Sequence, residues 1–237
     1  MSHRFRVPAR EAAFWAAIGE ILSLLSLIGN LFIFRGPAFG YTGLESRIIS
    51  APPIMIGAAL AAFFFFLYQA NGDIPSRTGF RIAARLAGGG MLLGWAIAFR
   101  QMYQSYARRG TLGSSPGLSG MQIVSLGMLF GLALVVFLFT AARESAHPGT
   151  GRSLRITALV ALILGVLGLS MSLYRFPVLI VATIGAGMRQ PIEGWLRPAW
   201  SCFNSFCGII SQITLLLLLL AMSQRPLTDD PSTAVLD

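Results

Sequence analysis

The sequence predicts an all-α fold: a polytopic transmembrane helix bundle of about six spans, plus a short broken or re-entrant apolar segment near 177–188. Three observations carry this. Hydrophobic residues make up 55% of the 237 positions and charged residues only 11%, against about 25% charged in soluble domains. The apolar residues fall in runs of 17 to 22, and about 20 helical residues at about 1.5 Å each cover the roughly 30 Å hydrocarbon core of a bilayer. All 18 basic residues are Arg, and they gather at the ends of these runs, where they anchor helices against headgroups.

The first span, Phe14 to Phe34, sets the pattern for the rest. Glu20, Ser23, Ser26 and Asn30 fall within about 120° of arc at about 100° per residue, which makes one polar stripe on an apolar helix. A carboxyl group facing lipid costs several kcal/mol, so the stripe is expected to face other helices or water. Arg4, Arg6 and Arg10 precede this run as they would in a signal peptide. The run is nonetheless long, contains Glu20 and lacks a small-residue cleavage site, so it is read as a retained span.

Residues 35–50 read as a connection, and Pro52-Pro53 as the first turn of a second span ending near Tyr68, where missing N–H groups do no harm. Phe63 to Phe66 must point all round this helix and are read as packing and lipid contact. NGDIPSRTG holds turn residues. A third span, Ala83 to Phe99, begins near Arg81 and Arg85, and Arg85 is within reach of an acid such as Glu20 in a bundle. Gly90, Gly94 and Ala98 recur at i+4 and clear a groove for another helix backbone. RQMYQSYARRG and TLGSSPGLSG then read as a polar connection and an irregular loop.

Gly117-Leu118-Ser119-Gly120 opens the fourth span, Met121 to Ala142. This GxSG segment resembles the nucleophile segment of rhomboid intramembrane proteases. That chemistry needs a base for the Ser proton, and both histidines, His3 and His147, lie outside the apolar runs. Ser119 is therefore read as a helix cap. Gly127 and Gly131 give the span a second surface of small residues.

The fifth span, Ile156 to Leu173, is followed by Tyr174-Arg175-Phe176-Pro177, which interrupts the hydrophobicity. Only 12 apolar residues come next, about 18 Å of helix and too short to cross. A kinked extension, a re-entrant half-crossing and a surface segment all fit, the first two better, because the backbone group freed by Pro177 needs a buried partner. RQPIEGWLRPAW reads as an interfacial connection. The last span, Phe203 to Met222, carries Asn204, Ser205, Ser211 and Gln212 at helical spacing, a second polar stripe able to bond to the first.

Residues 1–222 thus read as one transmembrane helical domain and 223–237 as a short polar cytoplasmic tail. The expected location is the cell (inner) membrane, multi-pass, with both termini cytoplasmic. Segments placed inside hold ten arginines against eight outside, a slight positive-inside bias. No cofactor or metal site is expected: Cys202 and Cys207 do not form a CxxC pair, and two histidines cannot supply a Cys/His zinc cage or a membrane-buried bis-histidine haem. No block of basic residues suits nucleic acid. No catalytic acid and base are placed together, so an enzyme is the least favoured class, and a lipid-modifying one the form it would take. The favoured reading is a non-catalytic membrane subunit or scaffold, partnered by the bilayer, other membrane subunits or itself. The alternative is a small-solute or proton-linked transporter using the Glu20 stripe.

Overall fold

In the computed structural model, residues 7–33, 43–109, 118–147, 151–187 and 192–224 are described. They form six α-helices: α1 (Ala9–Ile33), α2 (Gly43–Gln69), α3 (Thr78–Arg109), α4 (Leu118–Glu144), α5 (Gly151–Gly187) and α6 (Ile192–Ser223). Among the described residues, five helices are long and apolar enough to cross a membrane. The sixth, α3, has the length at 32 residues but carries Arg81 and Arg85 in its first turns. The protein is a membrane-type α-helical bundle.

Among the described residues, each helix runs backbone to backbone against the next, and α6 returns to α1, while large side chains reach across the middle. The bundle is therefore a closed ring. Successive helices run in opposite directions, so the start of α1, α3 and α5 and the end of α2, α4 and α6 share one end. That end is filled. Phe63, Phe64 and Leu67 of α2, Phe80 of α3, Phe137 and Leu138 of α4, and Leu218, Leu219 and Met222 of α6 are fully buried there. Phe63 stacks on Phe80 at 4.7 Å between centroids and meets Phe137 edge-on, arrangements that aromatic quadrupoles favour. Alanines 12, 13 and 16 of α1 and 158 and 161 of α5 bring their backbones in close around this aromatic plug.

The α2–α3 turn shows why the plug end closes tightly. The N–H of Gly72 donates to Leu67 O at 2.7 Å and that of Asn71 to Tyr68 O at 3.1 Å, the paired bonds of a Schellman cap, with Asn71 in the left-handed region at φ 55°. Gly72 follows at φ 86°, and a Cβ there would lie 2.6 Å from Ala9 Cβ and 2.9 Å from Ala9 C. Only glycine lets the turn rest on the start of α1.

Several helices are longer than the apolar runs. Residues 43–50 and 100–109, expected as connections, are helical, and so are 192–200. Hydrophobicity marks where a helix meets lipid, whereas helical hydrogen bonding continues through polar residues that are good helix formers. Pro52 and Pro53 accordingly sit inside α2 rather than in its first turn, and Pro198 inside α6. Pro177 likewise lies inside α5, a single helix of 37 residues, about 55 Å long. Of the forms weighed for the stretch after Pro177, the extension of the fifth helix is the one observed, with Pro177 inside it. Ser119 falls in the first turn of α4, past the capping position. The loop 110–117, the connection 34–42 and the tail 225–237 lie outside the described residues.

Candidate functional site

The two polar stripes meet. Ser26 of α1 is buried and its hydroxyl donates to Asn204 Oδ1 of α6. Nearly two turns nearer the plug, the Ser211 hydroxyl of α6 donates to Glu20 Oε2 at 2.8 Å. Thr214 and the Ser211 backbone press on Gly19, and the other Glu20 oxygen approaches Gly57 of α2, so Glu20 is enclosed by α1, α2 and α6. Ser23 is half-buried on the same helix, and Ser205 turns its hydroxyl to Ser201 O of its own helix at 2.9 Å. The backbone of Asn30 is helical, and its side chain lies outside what is described. Arg85 is not part of this group. It is exposed on α3, which is not a neighbour of α1 in the ring, so the ring geometry keeps it from Glu20.

The expected glycine grooves have different fates. Ile56 of α2 fills the groove at Gly90 and reaches Gly94, and the Trp95 ring of α3 lies against Gly131 of α4. The side-chain surroundings of Ala98 are outside the described residues. Gly127, one turn from Gly131, faces open space, with nothing among the described residues within 4 Å of where a Cβ would lie. Gly208 of α6 is equally open.

That open space is a cavity of about 420 Å³ inside the ring, above the aromatic plug. Its rim holds Gly127, Gly208 and Arg175, all exposed, and its floor Leu60, Leu134 and Leu215. Gly127 to Leu134 on α4, Gly168 to Arg175 on α5 and Gly208 to Leu215 on α6 each rise by seven helical steps, a depth of about 10 Å. The walls are mostly apolar, with four polar side chains: Ser172, Arg175, Ser211 and Gln212. The Gln212 amide donates to Gly165 O at 3.3 Å and the Ser172 hydroxyl to Gly168 O at 3.1 Å, which fixes both. Ser211 belongs at once to the cavity wall and to the Glu20 hydrogen bond, leaving the carboxyl one hydroxyl away from the cavity.

Among the sequence-derived candidates, Ser211, Gln212 and Gly127 thus converge on the cavity, and Glu20 stands behind it. Ser26 and Asn204 join α1 to α6. Arg175, Gly168 and Gly208 were not among the candidates. Arg175 had a signal, since it breaks the longest apolar stretch of the chain; the glycines had none beyond their spacing. Among the described residues no group of three or more His, Cys, Asp or Glu is placed to hold a metal ion.

Comparison with known proteins finds no match to this chain among family models, curated proteins or solved structures.

Proposed function

We propose that this is a multi-pass carrier of the cell (inner) membrane, which binds a small solute in the cavity lined by the five helices α2 to α6 and moves it past the aromatic plug. The observation that supports this most is the asymmetry of the ring: a cavity of about 420 Å³ open at one end over a sealed end. The volume lies within the roughly 300 to 1,000 Å³ of small-ligand sites, and apolar walls with a few placed polar groups are the usual lining. A half-open cavity over a closed half is what alternating access requires of one of its two states. The Glu20–Ser211 hydrogen bond at the wall supplies a proton-accepting group beside the solute path, as in a proton-linked carrier. The scaffold alternative is less well supported, because the grooves at Gly90 and Gly131 meant for a partner helix are filled by Ile56 and Trp95 of the same chain. In this reading the plug end faces the cytoplasm with both termini.

Uptake into proteoliposomes tests the proposal. Wild-type and Gly208→Leu proteins are offered a pool of small amphipathic solutes, and vesicle contents are read by mass spectrometry. At least one solute should accumulate with the wild type and not with the variant, whose added side chain projects into the cavity. Identical contents for both proteins and for empty vesicles would contradict it.

A further inference from the structure

We infer that the solute is a single-chain amphipathic anion, its acidic head held by Arg175 at the cavity rim and its apolar chain pointing down toward Leu60, Leu134 and Leu215. The inference rests on the carrier reading and adds its substrate class. Arg175 is the sole charged side chain among the described residues lining the cavity. No described acid forms an ion pair with it. A guanidinium offers a planar fork of donors that matches one carboxylate with two parallel bonds, and such charge-assisted bonds are stronger than neutral ones.

The apolar side of the ligand follows from the lining below Arg175. Met91, Phe130, Leu134, Met171 and Leu215 surround the lower cavity, and methionine side chains adapt to irregular apolar shapes. Depth sets the length of the chain. The distance from the rim to the floor is about 10 Å, short of the roughly 15 Å of one leaflet's hydrocarbon, and the cavity ends on the aromatic plug. A two-tailed phospholipid therefore does not fit, whereas one short chain does. Ser172 lies about 4.5 Å along the axis from Arg175 on the same helix, close enough to share the head through a water.

Octanoate is the probe, since a zigzag of about 1.5 Å carbon–carbon bonds extends to about 9 Å over eight carbons. Binding of radiolabelled octanoate and of 1-octanol is measured by equilibrium dialysis on the full chain in phosphatidylcholine nanodiscs, with empty discs subtracted. Octanoate should bind the wild type, weaken at least tenfold in Arg175→Gln and recover in part in Arg175→Lys. Octanol should bind more weakly and be indifferent to both changes. Unaltered melting of Arg175→Gln, expected for an exposed side chain, excludes misfolding as the cause. Octanol and octanoate binding alike, and both surviving Arg175→Gln, would overturn the anion inference and leave the carrier reading standing. A phospholipid co-purifying with the wild type but not with Arg175→Gln, with no octanoate bound, would also overturn it. If neither probe binds and Gly208→Leu changes nothing in the uptake assay, the carrier reading itself fails.

Discussion

The two ends of the helix ring are built from the same six helices and differ in almost every other respect. At the plug end, large rings and leucines fill the centre, and polar contacts tie neighbouring helices together. Arg155 Nε donates to Ser223 O at 2.6 Å, the Ser145 hydroxyl to Pro75 O at 2.6 Å, and the Val7 N–H to Gln224 Oε1 at 3.4 Å. Arg10 lies 5.1 Å from the Tyr68 ring centre, within cation–π range. At the open end the centre is a cavity walled partly by bare glycine backbone, and the cross-helix bonds lie to one side, on α1, α5 and α6. A ring of helices in lipid gains little from burying apolar groups, because lipid is already apolar. Close packing and hydrogen bonds decide which part is rigid, so the plug end is the fixed frame of the bundle.

The largest expected effect lies in the frame. Phe63→Ala leaves a void at the centre of the plug and should cost about 3 to 5 kcal/mol, the usual range for cutting a buried Phe back to Ala. Thermal unfolding in detergent would read this as a clear drop in melting temperature. An unchanged melting point would mean that the plug is not a packed unit.

Two glycines one turn apart on α4 sharpen the contrast. Gly131→Leu drives a side chain into the Trp95 ring and should destabilise by about 1 to 3 kcal/mol. Gly127→Leu meets open space and should change stability by no more than about 0.5 kcal/mol, yet abolish uptake by occupying the cavity. Melting curves and vesicle uptake for the pair separate packing from function, and a shared phenotype would erase the distinction between the two ends.

Smaller effects belong to the polar seam. Ser26→Ala removes its bond to Asn204 and should cost about 0.6 to 1.7 kcal/mol, the range for interhelical hydrogen bonds in membranes. Glu20→Gln keeps an acceptor for the Ser211 hydroxyl and should cost less than about 1 kcal/mol, while removing any dependence of uptake on a proton gradient. A folded Glu20→Gln protein with unaltered proton-driven uptake would confine Glu20 to a structural role.

Much of this frame was legible in the residues. Apolar runs of membrane length and polar residues at helical spacing follow from local periodicity, and periodicity is what one sequence displays. Helix ends were not legible, because RQMYQSYARR and IEGWLRPAW change solvent without changing backbone conformation. Nor could Gly127 be told from Gly131. Both lie on one face at i+4, and only the position of Trp95 on another helix makes one a packing surface and the other a cavity wall. Arg175 stood out as a charge in an apolar stretch, but its place at a cavity rim depends on how α4 and α6 flank α5.

A carrier of this build requires one end of the ring to be open to water and the other sealed. Thiol labelling tests it most directly, because maleimide reacts with the thiolate and so requires water rather than lipid. In a background lacking Cys202 and Cys207, single cysteines are placed at Gly127 and Gly208 in the cavity and at Ala87 and Ala141 in the plug, both fully buried. On intact cells a membrane-impermeant maleimide should label the first pair and leave the second unlabelled until denaturation. Equal labelling of the two pairs, or no labelling of Gly127→Cys and Gly208→Cys from either side of the membrane, would contradict the account.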